Sequence, residues 1–297
     1  MPTRPYATTA TTSAALALAV SLSVSLLAPA AHADPAAPLV IGHRGAAGLA
    51  PENTLEAVDR ADRAGIDWVE VDVQRSKDGV LVLMHDQDLV RTTDAEKVFP
   101  HRAPWKVGDF TYAELSRLRA GSSARWKGSR YEAARIPTLG QLLDRLDRNN
   151  QGLLLELKWP GAFPGVVQDT LRVLGRKGWL DARHVHNRLY VISFLPAALK
   201  TVRRERPDIR LGICDEGASA GKLASYAKYV DAVNPEHTSA TAEFVRRAHA
   251  LKGPHGKPLK VWPYTVNAPQ QARRLRDLRA DGFTTDFPDT MRRVLGQ

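Results

Sequence analysis

Short apolar runs rich in Val, Ile and Leu alternate with longer amphipathic segments along the chain from Leu39 onward. The apolar runs are typical of buried strands, and the segments between them have the apolar spacing of helices, so the pattern predicts βα units and a parallel sheet. The predicted strands cover residues 39–43, 68–73, 153–157, 189–194, 210–213, 232–234, 260–266 and 282–285. Because eight parallel strands can close on themselves, we predict an α/β fold, specifically a TIM (β/α)8 barrel.

Helical segments lie between these strands. Beyond the first helix they are predicted at 139–146, 165–174, 196–206, 242–251 and 268–280. The first helix begins after Pro51, with Asn53 as the predicted N-cap and Glu56 reaching back to it as in a capping box.

Two segments depart from a plain barrel. Residues 79–84 follow the second strand after a tight-turn signal at Asp78-Gly79, which predicts an extra antiparallel β-hairpin after strand 2 that sets Glu70 opposite His85. Residues 89–136 are too many for an ordinary connection. We therefore predict an inserted segment before strand 3, forming a subdomain or a lid.

The N-terminus has the pattern of a secretory signal peptide. Arg4 precedes an apolar stretch at 14–28, and the small-residue sequence Ala31-His32-Ala33 follows it. This stretch is too short to serve comfortably as a permanent membrane anchor. We expect residues 1–33 to be removed before Asp34, so that residues 34–297 are released to the cell exterior as a single barrel domain.

The amino-acid composition limits which classes of protein and of binding partner are expected. The chain is 43% hydrophobic and 25% charged, as ordinary globular domains are. Its formal charge of +10 is compatible with nucleic acids, anionic surfaces or small anionic substrates as partners. The arginines are spread along predicted helices without interleaved aromatic residues, so nucleic acid is not expected. The single cysteine, Cys214, excludes an internal disulfide and is expected to be a small buried residue.

Three carboxylates end two predicted neighbouring strands. Glu70 and Asp72 are two residues apart and therefore point to the same face of their strand, and Glu156 ends the next parallel strand. A single acid of this kind is as often half of a simple salt bridge, but three together indicate a divalent cation, calcium or magnesium. No Cys or His stands at zinc-like spacing beside them.

Two histidines follow strands close to these acids. His43 and His85 suit general acid–base work near neutral pH, although a lone histidine is more often structural. Arg44 offers a fork of donors that fits two phosphate oxygens, and Lys158 adds a second cation after Glu156. Together these groups point to phosphoryl-ester chemistry.

In order along the chain, these motifs resemble the glycerophosphodiester phosphodiesterase family. The motifs are His43-Arg44-Gly45, Pro51-Glu52-Asn53-Thr54, Glu70-Val71-Asp72-Val73, Asp78-Gly79, His85-Asp86, Arg91-Thr92-Thr93, Ile136-Pro137-Thr138-Leu139, Glu156-Leu157-Lys158 and Thr285-Asp286. The resemblance implies a TIM barrel that hydrolyses glycerophosphodiesters to sn-glycerol 3-phosphate and an alcohol. The nucleophile it implies is either a substrate hydroxyl or a water.

The resemblance also implies roles for individual residues. His43 and His85 would be the acid–base pair, and Arg44 and Lys158 would contact phosphate. One divalent cation would be held by Glu70, Asp72 and Glu156. The chain departs from the family near strand seven, where Tyr264 takes the place of a family tryptophan. Tyr264 and Phe194 are candidate walls of the substrate pocket, and either is equally expected in the core.

Two other functions stay open at this level. One is a phospholipase D-like member of the same superfamily acting on intact lipids, and the other is a non-catalytic barrel that binds polyanions. Polymers of glycerol phosphate are a further candidate partner, because they are themselves glycerol phosphodiesters. No stable membrane anchor is expected in the mature chain.

Overall fold

A computed structural model of the chain describes residues 1–4 and 37–297. The apolar stretch and cleavage pattern of the predicted signal peptide lie outside the described residues. Within the described part, none of the helices has both the length and the apolar character needed to cross a bilayer.

The described chain alternates strands and helices. In order these are β1 (Leu39–Gly42), α1 (Leu55–Arg63), β2 (Trp68–Arg75), β3 (Leu81–Leu83), α2 (Ala95–Val98), α3 (Tyr112–Leu115), α4 (Leu139–Asn149), β4 (Gly152–Leu157), α5 (Val166–Arg176), α6 (Ala182–Asn187), β5 (Leu189–Ser193), α7 (Pro196–Glu205), β6 (Arg210–Asp215), α8 (Leu223–Tyr226), β7 (Ala232–Pro235), α9 (Ala242–Ala250), β8 (Lys260–Val261), α10 (Pro269–Asp277), β9 (Gly282–Thr285) and α11 (Pro288–Leu295). Short 3-10 helices lie at Val107–Asp109, Pro160–Ala162 and His237–Ser239.

Eight parallel strands form the barrel, in the order β8-β7-β6-β5-β4-β2-β1-β9. Two backbone hydrogen bonds close it beyond the regular end of β8, from the Val266 amide to the Thr284 carbonyl (2.9 Å) and from the Thr284 amide to the Pro263 carbonyl (3.0 Å). The predicted TIM barrel is therefore confirmed. The last-but-one strand is shorter than the predicted 260–266, since Pro263 has no amide hydrogen to donate to the ladder.

Successive side chains along β2 and β4 point alternately to the outside and to the inside of the barrel. Val69, Val71 and Val73 pack outward in the main core between barrel and helices. The alternate positions point inward, where a smaller apolar cluster that includes Ile41 and Leu154 fills the barrel below the acids. Asp72 and Glu156 pair near the carboxyl end of the barrel, and Glu70 lies one residue beyond Val69, which pairs with the last residue of β1. TIM barrels place their sites at this end.

The start of α1 differs from the expectation. The N-cap is Thr54, whose hydroxyl accepts a hydrogen bond from the Ala57 amide. Asn53 instead takes a left-handed backbone conformation, with φ of 56°. Its side chain points away from the helix and makes two hydrogen bonds to Asp72. Asn53 therefore holds a carboxylate of β2 in position and does not cap the helix as predicted.

The predicted antiparallel hairpin is present. β3 pairs with β2 so that Val73 lies opposite Leu83, and the Met84 amide donates to the Asp72 carbonyl. This register would set His85 opposite Val71, one residue away from the predicted pairing with Glu70. His85 still ends beside the carboxylates of β2.

The inserted segment 89–136 has its own hydrophobic cluster. Phe110, Leu115 and Leu118 are fully buried there, and they pack in one cluster with Val82 of β3 and with Met84. The segment is therefore anchored on the hairpin by apolar packing.

Candidate active site

Three buried carboxylates meet at the mouth of the barrel. Glu70 and Asp72 come from β2, and Glu156 comes from β4, where it pairs in register with Asp72. Each is at most 6% exposed. One oxygen from each of the three lies within 4.8 Å of the others, so this group could hold a metal ion.

Burial and mutual repulsion make it unfavourable for all three carboxyl groups to be ionised at once. Burial and the neighbouring carboxylates of Asp72 and Glu156 raise the pKa of Glu70 well above its usual range. Burial and Asp72 raise the pKa of Glu156 to about 7. Burial opposes ionisation of Asp72 too, but Arg44 and Lys158 lower its pKa to about 2.

The donor set fits a hard divalent cation. Carboxylate oxygens are the ligands that such ions prefer. Within the described part of the chain, the buried Oε1 atom of Glu70 has no hydrogen-bond partner. A buried, unpartnered carboxylate oxygen is costly, and a bound cation would satisfy it.

Two cationic side chains border the carboxylates. Lys158 Nζ lies 2.8 Å from Glu156 Oε1 and 3.4 Å from Asp72 Oδ1. Arg44 Nε lies 3.5 Å from Asp72 Oδ2, and the Arg44 amide donates to Glu70 Oε2 at 2.9 Å. These contacts place two positive charges beside the carboxylate group, where a phosphate would also be attracted.

His43 is held by a carboxylate from the last barrel strand. Its Nδ1 lies 2.6 Å from Asp286 Oδ1, and its Nε2 lies 3.9 Å from Glu70 Oε2. Burial and the charge of Arg44 lower the pKa of His43, and they outweigh the opposite effect of Asp286. The ring is thereby oriented toward the carboxylates and biased toward its neutral form.

His85 has a matching arrangement. Its Nδ1 lies 2.6 Å from Asp86 Oδ1, and Arg91 Nε donates to the other oxygen of Asp86 at 2.6 Å. Arg91 also donates to Glu52 at 2.7 Å, and Glu52 accepts from Arg44 at 2.8 Å. Hydrogen bonds between charged groups thus connect Asp86, which contacts His85, through Arg91 and Glu52 to Arg44 beside the carboxylates.

A cavity of about 840 Å³ includes both histidines, Arg44, Lys158 and two of the three acids in its lining. Phe194 and Tyr264 also line it, with ring centroids 5.8 Å apart in an edge-to-face arrangement. Lys158 Nζ lies 5.2 Å from the centroid of the Phe194 ring. The structure therefore brings every residue proposed from the sequence to one place, whereas the lining includes none of residues 89–136.

Sequence reasoning missed the residues that hold the site in position. In the sequence, Asp286, Asp86 and Glu52 stand out only as parts of motifs, and the local pattern predicts Asn53 as a helix cap. Asp286 directly follows β9 and Asp86 directly follows His85. An acid at a strand end, or beside a candidate base, is the signal that could have found two of them.

The chain is similar to known proteins of one family. The model of the glycerophosphoryl diester phosphodiesterase family matches residues 43–290. A glycerophosphodiester phosphodiesterase of Bacillus altitudinis is 30% identical over 259 residues, covering 84% of this chain and 95% of its relative. One from Bacillus subtilis is 29% identical over 269 residues, covering 86% of each chain.

A solved structure supports the same assignment. The phosphodiesterase of Oleispira antarctica, in complex with the product sn-glycerol-3-phosphate, superimposes with a TM-score of 0.74 at 30% identity, covering 88% of this chain and 98% of that one. The family match spans most of the chain, and the barrel fold is shared with that structure. This chain belongs to the glycerophosphoryl diester phosphodiesterase family.

Proposed function

We propose that the protein hydrolyses glycerophosphodiesters to sn-glycerol 3-phosphate and an alcohol, with His43 and His85 as the acid–base pair. One observation carries this proposal. Two imidazoles, each bonded to a carboxylate through Nδ1, line one cavity beside a buried group of three acids that could hold a cation.

The carboxylate contacts define what each imidazole can do. An Nδ1–H that donates to Asp286 or Asp86 leaves the Nε2 lone pair free in the neutral ring. One Nε2 accepts a proton from the attacking water as the water oxygen bonds to phosphorus, and the other, protonated, donates its proton to the alcohol oxygen as the bond from phosphorus to that oxygen breaks. If a substrate hydroxyl attacks first, water then opens the resulting cyclic phosphodiester, and the two imidazoles exchange roles. The lowered pKa of His43 favours its neutral ring, as the acceptor role requires.

Arg44 and Lys158 would bind the phosphate. The pKa of Lys158 is raised because Asp72 and Glu156 outweigh the cost of burial, and Arg44 is likewise held charged by Asp72 and Glu52. Both side chains therefore stay cationic across the working pH range. They would neutralise the phosphodiester and fix its orientation.

Glu70, Asp72 and Glu156 would hold one divalent cation, calcium or magnesium. Such an ion supplies positive charge where the phosphoryl oxygens gain negative charge in the transition state. Asn53 would keep Asp72 in position through its two hydrogen bonds.

Cation binding should be coupled to proton release. In the cation-free protein Glu70 and Glu156 have raised pKa values, and that of Glu156 is about 7. A ligand carboxyl must lose its proton, so affinity should rise with pH through this range and fall as the pH drops below about 7. Calorimetric titration in buffers of different ionisation enthalpy should detect the released protons. An affinity that stays constant from about pH 5.5 to 8 would contradict this coupling.

The direct test of the function is product identification. Incubation with glycerophosphocholine and a divalent cation should release sn-glycerol 3-phosphate and choline in equal amounts. Release of phosphocholine and glycerol would show cleavage of the other ester bond and would overturn the proposal.

A second candidate function has one observation in its favour. Trp159, Phe194 and Leu195 expose 43%, 40% and 39% of their surface, and all three line the cavity. Exposed apolar side chains of this kind can contact lipid, as an enzyme acting on intact lipids requires. Vesicles of intact phospholipid in the same product assay would distinguish the two functions.

A further inference from the structure

The cavity extends well beyond the group of acids. Its lining continues from Glu156 and Lys158 to Phe194 after β5 and to Asp215 and Glu216 at the end of β6. The lining thus has cationic groups suited to a phosphate in one part and two carboxylates in another.

The two carboxylates after β6 differ in their contacts. Asp215 is fully engaged, since it accepts hydrogen bonds from the Tyr226 hydroxyl (2.6 Å), Lys222 Nζ (3.0 Å) and the Gly217 amide (3.0 Å). Glu216 is exposed, and its carboxylate has no hydrogen-bond or ion-pair partner among residues 37–297. Lys222 balances Asp215, so Glu216 leaves this wall with one uncompensated negative charge.

Two aromatic rings line the same cavity as Glu216. Phe194 and Tyr264 contact each other edge to face, and Phe194 is 40% exposed. Glu216 follows Asp215, which pairs with Pro235 of β7, and the Tyr264 amide donates to the Pro235 carbonyl at 3.0 Å, so neighbouring strand ends carry Glu216 and Tyr264. Aromatic faces beside a carboxylate are a usual environment for ammonium ligands.

An unpartnered buried acceptor lines the same cavity. Asn234 is 2% exposed, its Nδ2 donates to the Trp262 carbonyl, and its Oδ1 has no partner among the described residues. The Tyr264 hydroxyl is also buried without a partner in the described part. Buried polar atoms left unpaired in a cavity indicate that a polar ligand or water completes them.

We propose that Glu216, together with the rings of Phe194 and Tyr264, binds a positively charged ammonium group on the alcohol part of the substrate. The inference rests on the proposed function and names its substrate class. A zwitterionic diester such as glycerophosphocholine or glycerophosphoethanolamine matches a cavity with cationic groups for the phosphate and a free carboxylate for the ammonium. A polymer of glycerol phosphate has no positive charge to offer this carboxylate.

The test compares substrates that differ only in the alcohol. The specificity ratio is kcat/KM for glycerophosphocholine divided by kcat/KM for glycerophosphoglycerol, whose alcohol is uncharged. We expect Glu216→Gln to lower this ratio about fivefold, mainly through KM, because the ammonium contact is made in ground and transition states alike. Glu216→Lys should lower it further, and added salt should shrink the difference between Glu216→Gln and wild type.

Glu243→Gln is the matched control. It removes one negative charge from α9, where Glu243 pairs with Arg247 at the surface, and should leave the ratio at the wild-type value. A Glu216→Gln variant with the wild-type ratio, or with equal losses on both substrates, would overturn the inference.

A binding measurement separates this inference from the proposed function. Glycerophosphocholine is titrated into His85→Ala protein with and without Glu216→Gln, so no turnover is needed. Weaker binding with Glu216→Gln supports the ammonium subsite even if the wild-type protein proves unable to cleave the diester. Equal binding overturns the subsite even if hydrolysis is confirmed.

Discussion

Replacing His43 or His85 by alanine is expected to lower kcat for glycerophosphocholine by about 10²- to 10⁴-fold. Each substitution removes an imidazole whose Nδ1 bonds to a carboxylate and whose Nε2 is proposed to transfer a proton. Both rings line the open cavity, so removing either leaves no sealed void and the free energy of unfolding should fall only modestly. Steady-state kinetics, with thermal unfolding of the same preparations, measures both effects.

His101→Ala is the control for the histidine variants. His101 is exposed in the inserted segment and lies outside the cavity lining, so this variant should keep wild-type kcat. Because the two histidines act in one reaction, the double variant should lose little more than either single one. Full turnover by a folded His43→Ala or His85→Ala protein would refute the acid–base assignment.

Removing the divalent cation, or one of its proposed ligands, should lower turnover about as much as the histidine substitutions do. Chelation should reduce turnover by about 10²-fold or more, and calcium or magnesium should restore it, because the cation is proposed to offset transition-state charge. Glu70→Gln should impair both turnover and cation affinity. Turnover assays after chelation, repeated with each ion, measure the first effect and show which ion is preferred.

Thermal unfolding provides a readout that does not depend on activity. A cation that binds only the folded state stabilises it by about 2.7 kcal/mol at 100 times its Kd. Wild-type protein should therefore gain stability on cation addition, Glu70→Gln protein should gain much less, and Glu243→Gln protein should behave as wild type. Undiminished turnover by protein shown to contain no metal would contradict the requirement.

The sequence predicted the groups that are proposed to react better than the groups that position them. Parity along β2 placed Glu70 and Asp72 on one face, and the structure has them inward beside Glu156. Parity is a local property of an extended chain, so it needs no knowledge of other elements. A local turn signal at Asp78-Gly79 likewise predicted the hairpin, with an error of one residue in register.

The supporting residues depend on distant pairings. His43 and Asp286 are 243 positions apart and meet only because β1 pairs with β9. Asn53 looked like a helix cap from its neighbours alone, but a left-handed backbone turns its side chain to Asp72. Local preference for a cap was overridden by a contact that satisfies a buried carboxylate.

By itself the sequence determined the eight strands, the inward acids, the two histidines and the family motifs, because periodicity and strand-end chemistry are local. Only the tertiary structure decided which carboxylate orients which histidine. It also decided that the inserted segment packs on β3 without contributing to the cavity lining, and that Glu216 at the cavity wall has no partner among the described residues. These features depend on which strand ends meet around the closed barrel, and closure joins residues that no local pattern relates.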